Sequence, residues 1–206
     1  WTEASKLTGE KKYLDMAEII FDDMTTGWSD ACGGGIFWKK NPLHYKNSIA
    51  NNLFSLTAIR LYKATQNPAY LDWFKKNVDW YTQTGMINTD IYQIEDGTKD
   101  DCTPNRNAHY TYNQGVAIAV LAEMYLQTND KSYLELAEKI ADATITTQLV
   151  TDEGILREMK PEIDDSNDGV QFKGIFIRHL AFLYEVTKNP AYKDFILKNA
   201  ESIITK

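Results

Sequence analysis

Three pairs of adjacent aspartates punctuate the sequence, at Asp22-Asp23, Asp100-Asp101 and Asp164-Asp165. Two carboxyl groups held close together can divide labour, one kept protonated as a general acid while the other attacks or stabilises charge. The settings differ. Asp22-Asp23 closes a helical pattern, where solvated carboxylates are ordinary. Asp164-Asp165 lies in a Ser/Asn/Asp-rich stretch before a helix, a composition suited to turns and caps. Asp100-Asp101 sits in a long loop beside Cys102, placed to touch a ligand first and to catalyse second.

A second kind of chemistry recurs where apolar helices begin. Lys46, Asn47 and Asn51 open one such helix, Tyr112, Asn113 and Gln114 the next, and Asp168, Phe172 and Lys173 a third. Asparagine caps helix N-termini well, yet the same amides and lysines could hold the polar groups of a ligand, and both roles are compatible. Gly33-Gly34-Gly35, flanked by Cys32 and Trp38, suits close backbone approach to a ligand or a neighbouring loop. It is not a phosphate loop, since no Lys-Ser/Thr follows. Flat rings such as Trp28, Trp38 and Tyr110 can stack on sugar faces or pack across loops. The expected binding set is Gly34, Gly35, Trp38, Lys46, Asn47, Asn51, Tyr112, Asn113, Gln114, Asp168, Phe172 and Lys173. His44, His109 and His179 share no metal-ligand spacing; His179 reads as a core residue, and His109 falls among the long loops.

The elements that position these residues follow from a repeat. Thr8 to Leu14, Thr65 to Leu71, Thr128 to Leu134 and Thr187 to Lys193 each carry Thr first and Tyr five places later, at intervals of roughly 60 residues. Helical patterns flank each copy: Lys11 to Thr25, Asn47 to Ala64, Tyr70 to Tyr81, Val116 to Leu126, Tyr133 to Gln148, Ile175 to Val186 and Tyr192 to Ile204. Asn47 to Ala64, Val116 to Leu126 and Ile175 to Val186 are apolar on most faces, whereas the helices following the Thr-to-Tyr turns are one-sided. The spacing therefore predicts an all-α fold of hairpins, each pairing a buried inner helix with an amphipathic outer one. Gly9 can take a left-handed C-cap, and Asn67-Pro68 and Asn189-Pro190 end one helix and start another. Long polar loops join outer helix to next inner helix, so the site belongs at that end.

Composition narrows the function classes. A formal charge of -7 over 206 residues offers no basic face for nucleic acid. No apolar run reaches the roughly 18 residues of a membrane span. No zinc-type spacing occurs, and no cofactor is expected. Cys32 and Cys102 allow one bridge or two free thiols. The 12 Tyr, 8 Phe and 5 Trp include several in loops.

Four blocks in order carry a resemblance that spans nearly all of the chain: Gly27 to Trp38, Tyr45 to Asn51, Tyr110 to Gly115 and Phe172 to Phe176. Together they resemble glycoside hydrolase family 76, the endo-α-1,6-mannanases and related fungal cell-wall mannan-processing proteins. The resemblance implies an (α/α)6 toroid, here incomplete at about three and a half hairpins. It also implies residues 1–206 as a single, partial glycoside hydrolase domain and cleavage of α-1,6-linked mannan with retention of configuration. The family's catalytic pair is two adjacent aspartates just ahead of a Trp. Trp1 stands in the place of that Trp, or of the one next to it, so the aspartates are expected before residue 1 and no catalytic residue is assigned within the chain. A loop-to-loop bridge between Cys32 and Cys102 would fit a secreted enzyme, and a secreted or cell-surface location would be family-typical.

The expected function is hydrolysis of α-mannan or manno-oligosaccharide. The expected partner is that glycan alone, with no nucleic acid and no membrane span. A carbohydrate-binding or transglycosylating cell-wall protein on the same fold is the alternative. A non-catalytic helical scaffold is a third, though its repeats would run nearer 34 residues.

Overall fold

The computed structural model of the protein describes residues 1–40, 45–106, 109–160 and 167–205. His44, Asp164 and Asp165 lie outside them. Helix dominates, in order α1 (Thr2–Thr8), α2 (Lys11–Thr25), α3 (Ser48–Thr65), α4 (Pro68–Gln83), α5 (Thr111–Thr128), α6 (Lys131–Thr146), α7 (Asn167–Thr187) and α8 (Pro190–Ile204). A 3-10 turn spans Ala31–Gly33, and β1 (Ile87–Asn88) pairs antiparallel with β2 (Gln93–Ile94). No described helix is long and apolar enough to cross a membrane.

The repeated Thr explains itself locally. The hydroxyls of Thr8, Thr65, Thr128 and Thr187 each accept the N–H two residues on, at Glu10, Asn67, Asp130 and Asn189, over 3.1 to 3.2 Å. Those four residues are the N-caps of the next helices. Asn67, Asp130 and Asn189 then cap in turn, accepting from Ala69, Ser132 and Ala191. Gly9, Gln66, Asn129 and Lys188 turn the chain through left-handed backbone at φ 72°, 60°, 57° and 58°. The repeated Tyr works at longer range. Tyr70 donates to Glu18 of α2 at 3.0 Å, and Tyr192 to Asp142 of α6 at 3.1 Å, so each ties one outer helix to the previous one.

The chain forms two compact units. The first comprises Trp1–Met86 and Gly97–Pro104, the second Ile87–Asp96 and Asn105–Lys206. In the first, α3 packs on α4 and α2 around Phe21, whose ring stacks on Phe54 at 4.9 Å and meets Tyr70 edge-on at 5.5 Å. In the second, α5 is buried along nearly its whole length between α6 and α7. Gly115 makes that closeness possible, because a Cβ there would lie 2.6 Å from the Phe176 Cα. The inner helix starts at Thr111, more than a turn before the apolar period at Val116. Its first turn is buried but polar (Thr111, Asn113 and Gln114 are all buried), so hydrophobic spacing does not register it.

Candidate functional site

In the first unit, the glycine-rich loop is held by side chains from α3 and α4. Gly34 and Gly35 lie flat on Trp80; a Cβ on Gly35 would come within 2.4 Å of that indole, and φ of 84° already disfavours a side chain. Trp80 Nε1 donates to the Cys32 carbonyl at 2.9 Å. The wholly buried Lys46 donates through Nζ to three loop carbonyls, Ser29 at 2.7 Å with Ala31 and Gly34. Its ammonium also lies 5.1 Å from the Phe37 ring centroid. Burial pulls the ammonium down to about 8, and the charge of Asp30 opposes the fall. Asn51 grips Ile36 at both ends: Ile36 N–H donates to Oδ1 at 2.8 Å and Nδ2 donates to the Ile36 carbonyl at 3.0 Å. Asn47 caps α3 by accepting from Ala50.

A disulfide joins Cys32 to Cys102, so of the two thiol states open to the sequence the bridge is the one formed. It fastens the glycine-rich loop to the 97–104 segment, which is also bound through Thr98 N–H to the Lys46 carbonyl at 3.0 Å. Asp101 spends its carboxylate on Thr103, accepting from N–H at 3.0 Å and Oγ1 at 2.6 Å. Those two bonds hold its carboxyl below the ordinary range. Asp100 is exposed beside it. Trp38 is 52% exposed and meets Tyr45 edge-on at 6.3 Å. Asp23 pairs with Lys40 at the surface end of α2.

The second unit gathers a polar cluster at the start of α5. Asp96 Oδ1 accepts from Asn113 Nδ2 at 3.0 Å and from Tyr112 OH at 3.3 Å. Asn113 is wholly buried, and its Oδ1 has no hydrogen-bond partner among the described residues. Beside it stand three rings: Tyr110 stacks on Tyr112 at 5.6 Å and 11°, and Phe172 of α7 lies 4.2 Å from Tyr112. Gln114 repeats the Asn51 grip on Ile94, accepting its N–H at 2.8 Å and donating to its carbonyl at 3.1 Å. The buried Glu158 accepts both the N–H and the hydroxyl of Thr111, the first residue of α5, where a helix N-terminus favours a carboxylate. Glu95, 1% exposed, accepts from Asn88 at 2.9 Å and faces His109 Nε2 at 3.3 Å and Arg106 at 4.0 Å.

The expected residues thus fall into groups. Lys46, Asn47, Asn51, Gly34 and Gly35 come together as a loop clamp; Tyr112, Asn113 and Phe172 come together around Asp96. Gln114 is buried and engaged with Ile94. Asp168 is exposed at the start of α7, and Lys173 is half-buried one turn on. Asp96, Glu95 and the partnering role of Glu158 were not foreseen. Glu95-Asp96 is itself an adjacent acidic pair, of mixed type, directly after a short strand; a search for carboxylate pairs of either residue would have met it. Among the described residues, no group of three or more His, Cys, Asp or Glu side chains could hold a metal ion.

Known proteins place this architecture. The mannan endo-1,6-alpha-mannosidase DCW1 of Saccharomyces cerevisiae is 30% identical over 181 residues, covering 83% of this chain and 40% of its own. The GH76A alpha-1,6-mannanase of Salegentibacter sp. HEL1_6 is 28% identical with a TM-score of 0.90, covering 100% of this chain and 61% of that one. An inactive variant of that enzyme, with two adjacent aspartates replaced by asparagine and in complex with alpha-1,6-mannotriose, matches at 29% identity and TM-score 0.88, over 97% of this chain and 60% of that one. The chain spans 40% to 44% of the length of the first curated relatives it matches. The Glycosyl hydrolase family 76 profile matches residues 2–205, and the chain belongs to that family.

Proposed function

We propose that this chain is the saccharide-holding part of an α-1,6-mannan hydrolase whose catalytic carboxylates lie outside residues 1–206. The observation that carries the reading is the Asp96 cluster: a carboxylate and an unpartnered amide oxygen beside a wall of three aromatic rings. A carboxylate can accept about four hydrogen bonds and is the kind of group that takes sugar hydroxyls. Tyr110, Tyr112 and Phe172 offer apolar ring surface of the kind a pyranose face covers. Binding energy gathered there would orient the chain and support ring distortion at the cleaved sugar.

Hydrolysis with retention needs two carboxyls about 5–5.5 Å apart, one nucleophile and one acid/base. One member of each described aspartate pair is engaged otherwise, Asp23 with Lys40 and Asp101 with Thr103. This favours a catalytic pair supplied from elsewhere in the protein. Titration calorimetry of the chain with α-1,6-mannotriose, against β-1,4-mannotriose, tests the reading. Selective binding of the α-linked trisaccharide without release of reducing ends from α-1,6-mannan is expected. A folded chain that binds neither sugar overturns the binding role, and hydrolysis by residues 1–206 alone overturns the placement of the carboxylates.

A further inference from the structure

Glu95 is a buried charge with a cost to explain. A carboxylate removed from water is tolerated only when paired and hydrogen-bonded, and an apolar residue of similar size would often serve stability as well. At 1% exposure Glu95 is met by Asn88 from β1 at 2.9 Å, by His109 at 3.3 Å and by Arg106 at 4.0 Å. Arg106 sits in left-handed backbone at φ 47°, a conformation that needs support from its surroundings. His109 is followed by Tyr110, the N-cap of α5, whose ring stacks on Tyr112. The residue after Glu95 is Asp96, which binds Tyr112 and Asn113. One buried carboxyl group therefore links the segments that deliver Asp96 and Tyr110 to the cluster.

We propose that Glu95 is a positioning residue for the saccharide site, acting through His109 to set the Tyr110–Tyr112 wall against Asp96. The inference rests on the binding role proposed above. Glu95 touches no sugar; its charge fixes where the imidazole stands, and the imidazole fixes the entry to α5. The pairing fits such a role better than a purely supporting one, since neither His109 ring nitrogen makes a well-formed hydrogen bond among the described residues. Glu95 and His109 Nε2 stand 3.3 Å apart, an arrangement that a bound ligand can tighten.

The test compares wild type, Glu95→Gln, His109→Gln and the double variant, each titrated with α-1,6-mannotriose well below its melting temperature. Glu95→Gln keeps the shape of the side chain and removes its charge. Each single substitution is expected to weaken binding about tenfold, and the double no more than either alone, because interacting residues are non-additive. In wild type the His109 ring signals in a 1H–13C spectrum should shift on adding mannotriose, and that shift should be lost in Glu95→Gln. Wild-type affinity in Glu95→Gln, losses that add in the double variant, or a lowered Tm with unchanged affinity would each overturn the inference. If wild type itself fails to bind, the binding role falls and this inference with it. Should Glu95→Gln not fold, His109→Gln and the wild-type ring shift decide the matter.

Discussion

Gln114 holds Ile94 as a neighbouring strand would, taking its N–H at 2.8 Å and giving to its carbonyl at 3.1 Å. Asn51 does the same to Ile36 in the other unit, at 2.8 and 3.0 Å. Both amides stand in the first turn of an inner helix and both are wholly buried. Each satisfies two backbone groups of a long connection whose own strand pairing is short, two residues at β2 and a single bridge at Ile36, and buried backbone groups must be paired somehow. Gln114→Ala should therefore strand a buried donor and a buried acceptor. A loss of about 2–6 kcal/mol is expected from the cost of roughly 1–3 per unsatisfied group, read as a shift of the urea midpoint.

The glycines of two inner helices should respond in opposite directions to alanine. At Gly115 the new methyl would meet Phe176 Cα at 2.6 Å and force α5 from α7. Overpacking of this kind costs about 1–3 kcal/mol. At Gly174 nothing lies within 4 Å, and alanine should stabilise α7 by about 0.5–1 kcal/mol through reduced chain freedom. Thermal denaturation of the two single variants checks both signs.

Reduction of the Cys32–Cys102 bridge should destabilise the first unit. Its ends are 70 residues apart in sequence, and chain-entropy reasoning gives about 4 kcal/mol for a loop of that length. Urea unfolding of wild type with and without reductant, and of Cys32→Ser/Cys102→Ser, measures it. Reductant should leave the double variant unchanged.

Tyr70 gives the alkaline limb of stability a named source. Burial first, then the bond to Glu18, pushes its phenol up to about 12 from an ordinary 10.0. The folded state thus keeps a proton that the unfolded chain gives up sooner. The contribution is complete below pH 10 and is lost as pH rises through 12. Tyr70→Phe should cost about 1 kcal/mol at pH 8, and its stability should fall less steeply between pH 10 and 12.

Asp96→Asn and Tyr112→Ala probe the proposed saccharide site. Asp96→Asn should weaken α-1,6-mannotriose binding at least tenfold, about 1.4 kcal/mol. Tyr112→Ala removes a stacked ring and should cost a further aromatic contact of about 1 kcal/mol. Circular dichroism should stay unchanged for Asp96→Asn, and a collapse of helicity would mark its role as architectural.

The sequence by itself determined the hairpins, because their signals are local. Thr65 receives Asn67 N–H two residues away, Asn67 caps at Ala69, and Pro68 starts the helix, all within five residues. Polar first turns at Lys46–Asn51 and Thr111–Gln114 were also legible as special, since amides and lysine there break an otherwise apolar pattern. What they bind was decided only by tertiary structure. Lys46 reaches carbonyls 12 to 17 residues back, and Gln114 the end of a two-residue strand 20 back. Such loops have no period, so nothing in the sequence fixes which backbone groups arrive. Glu95 shows the limit most plainly. As a residue type it reads as a solvated charge, and it becomes a buried hub only because Asn88, Arg106 and His109 converge on it from other segments.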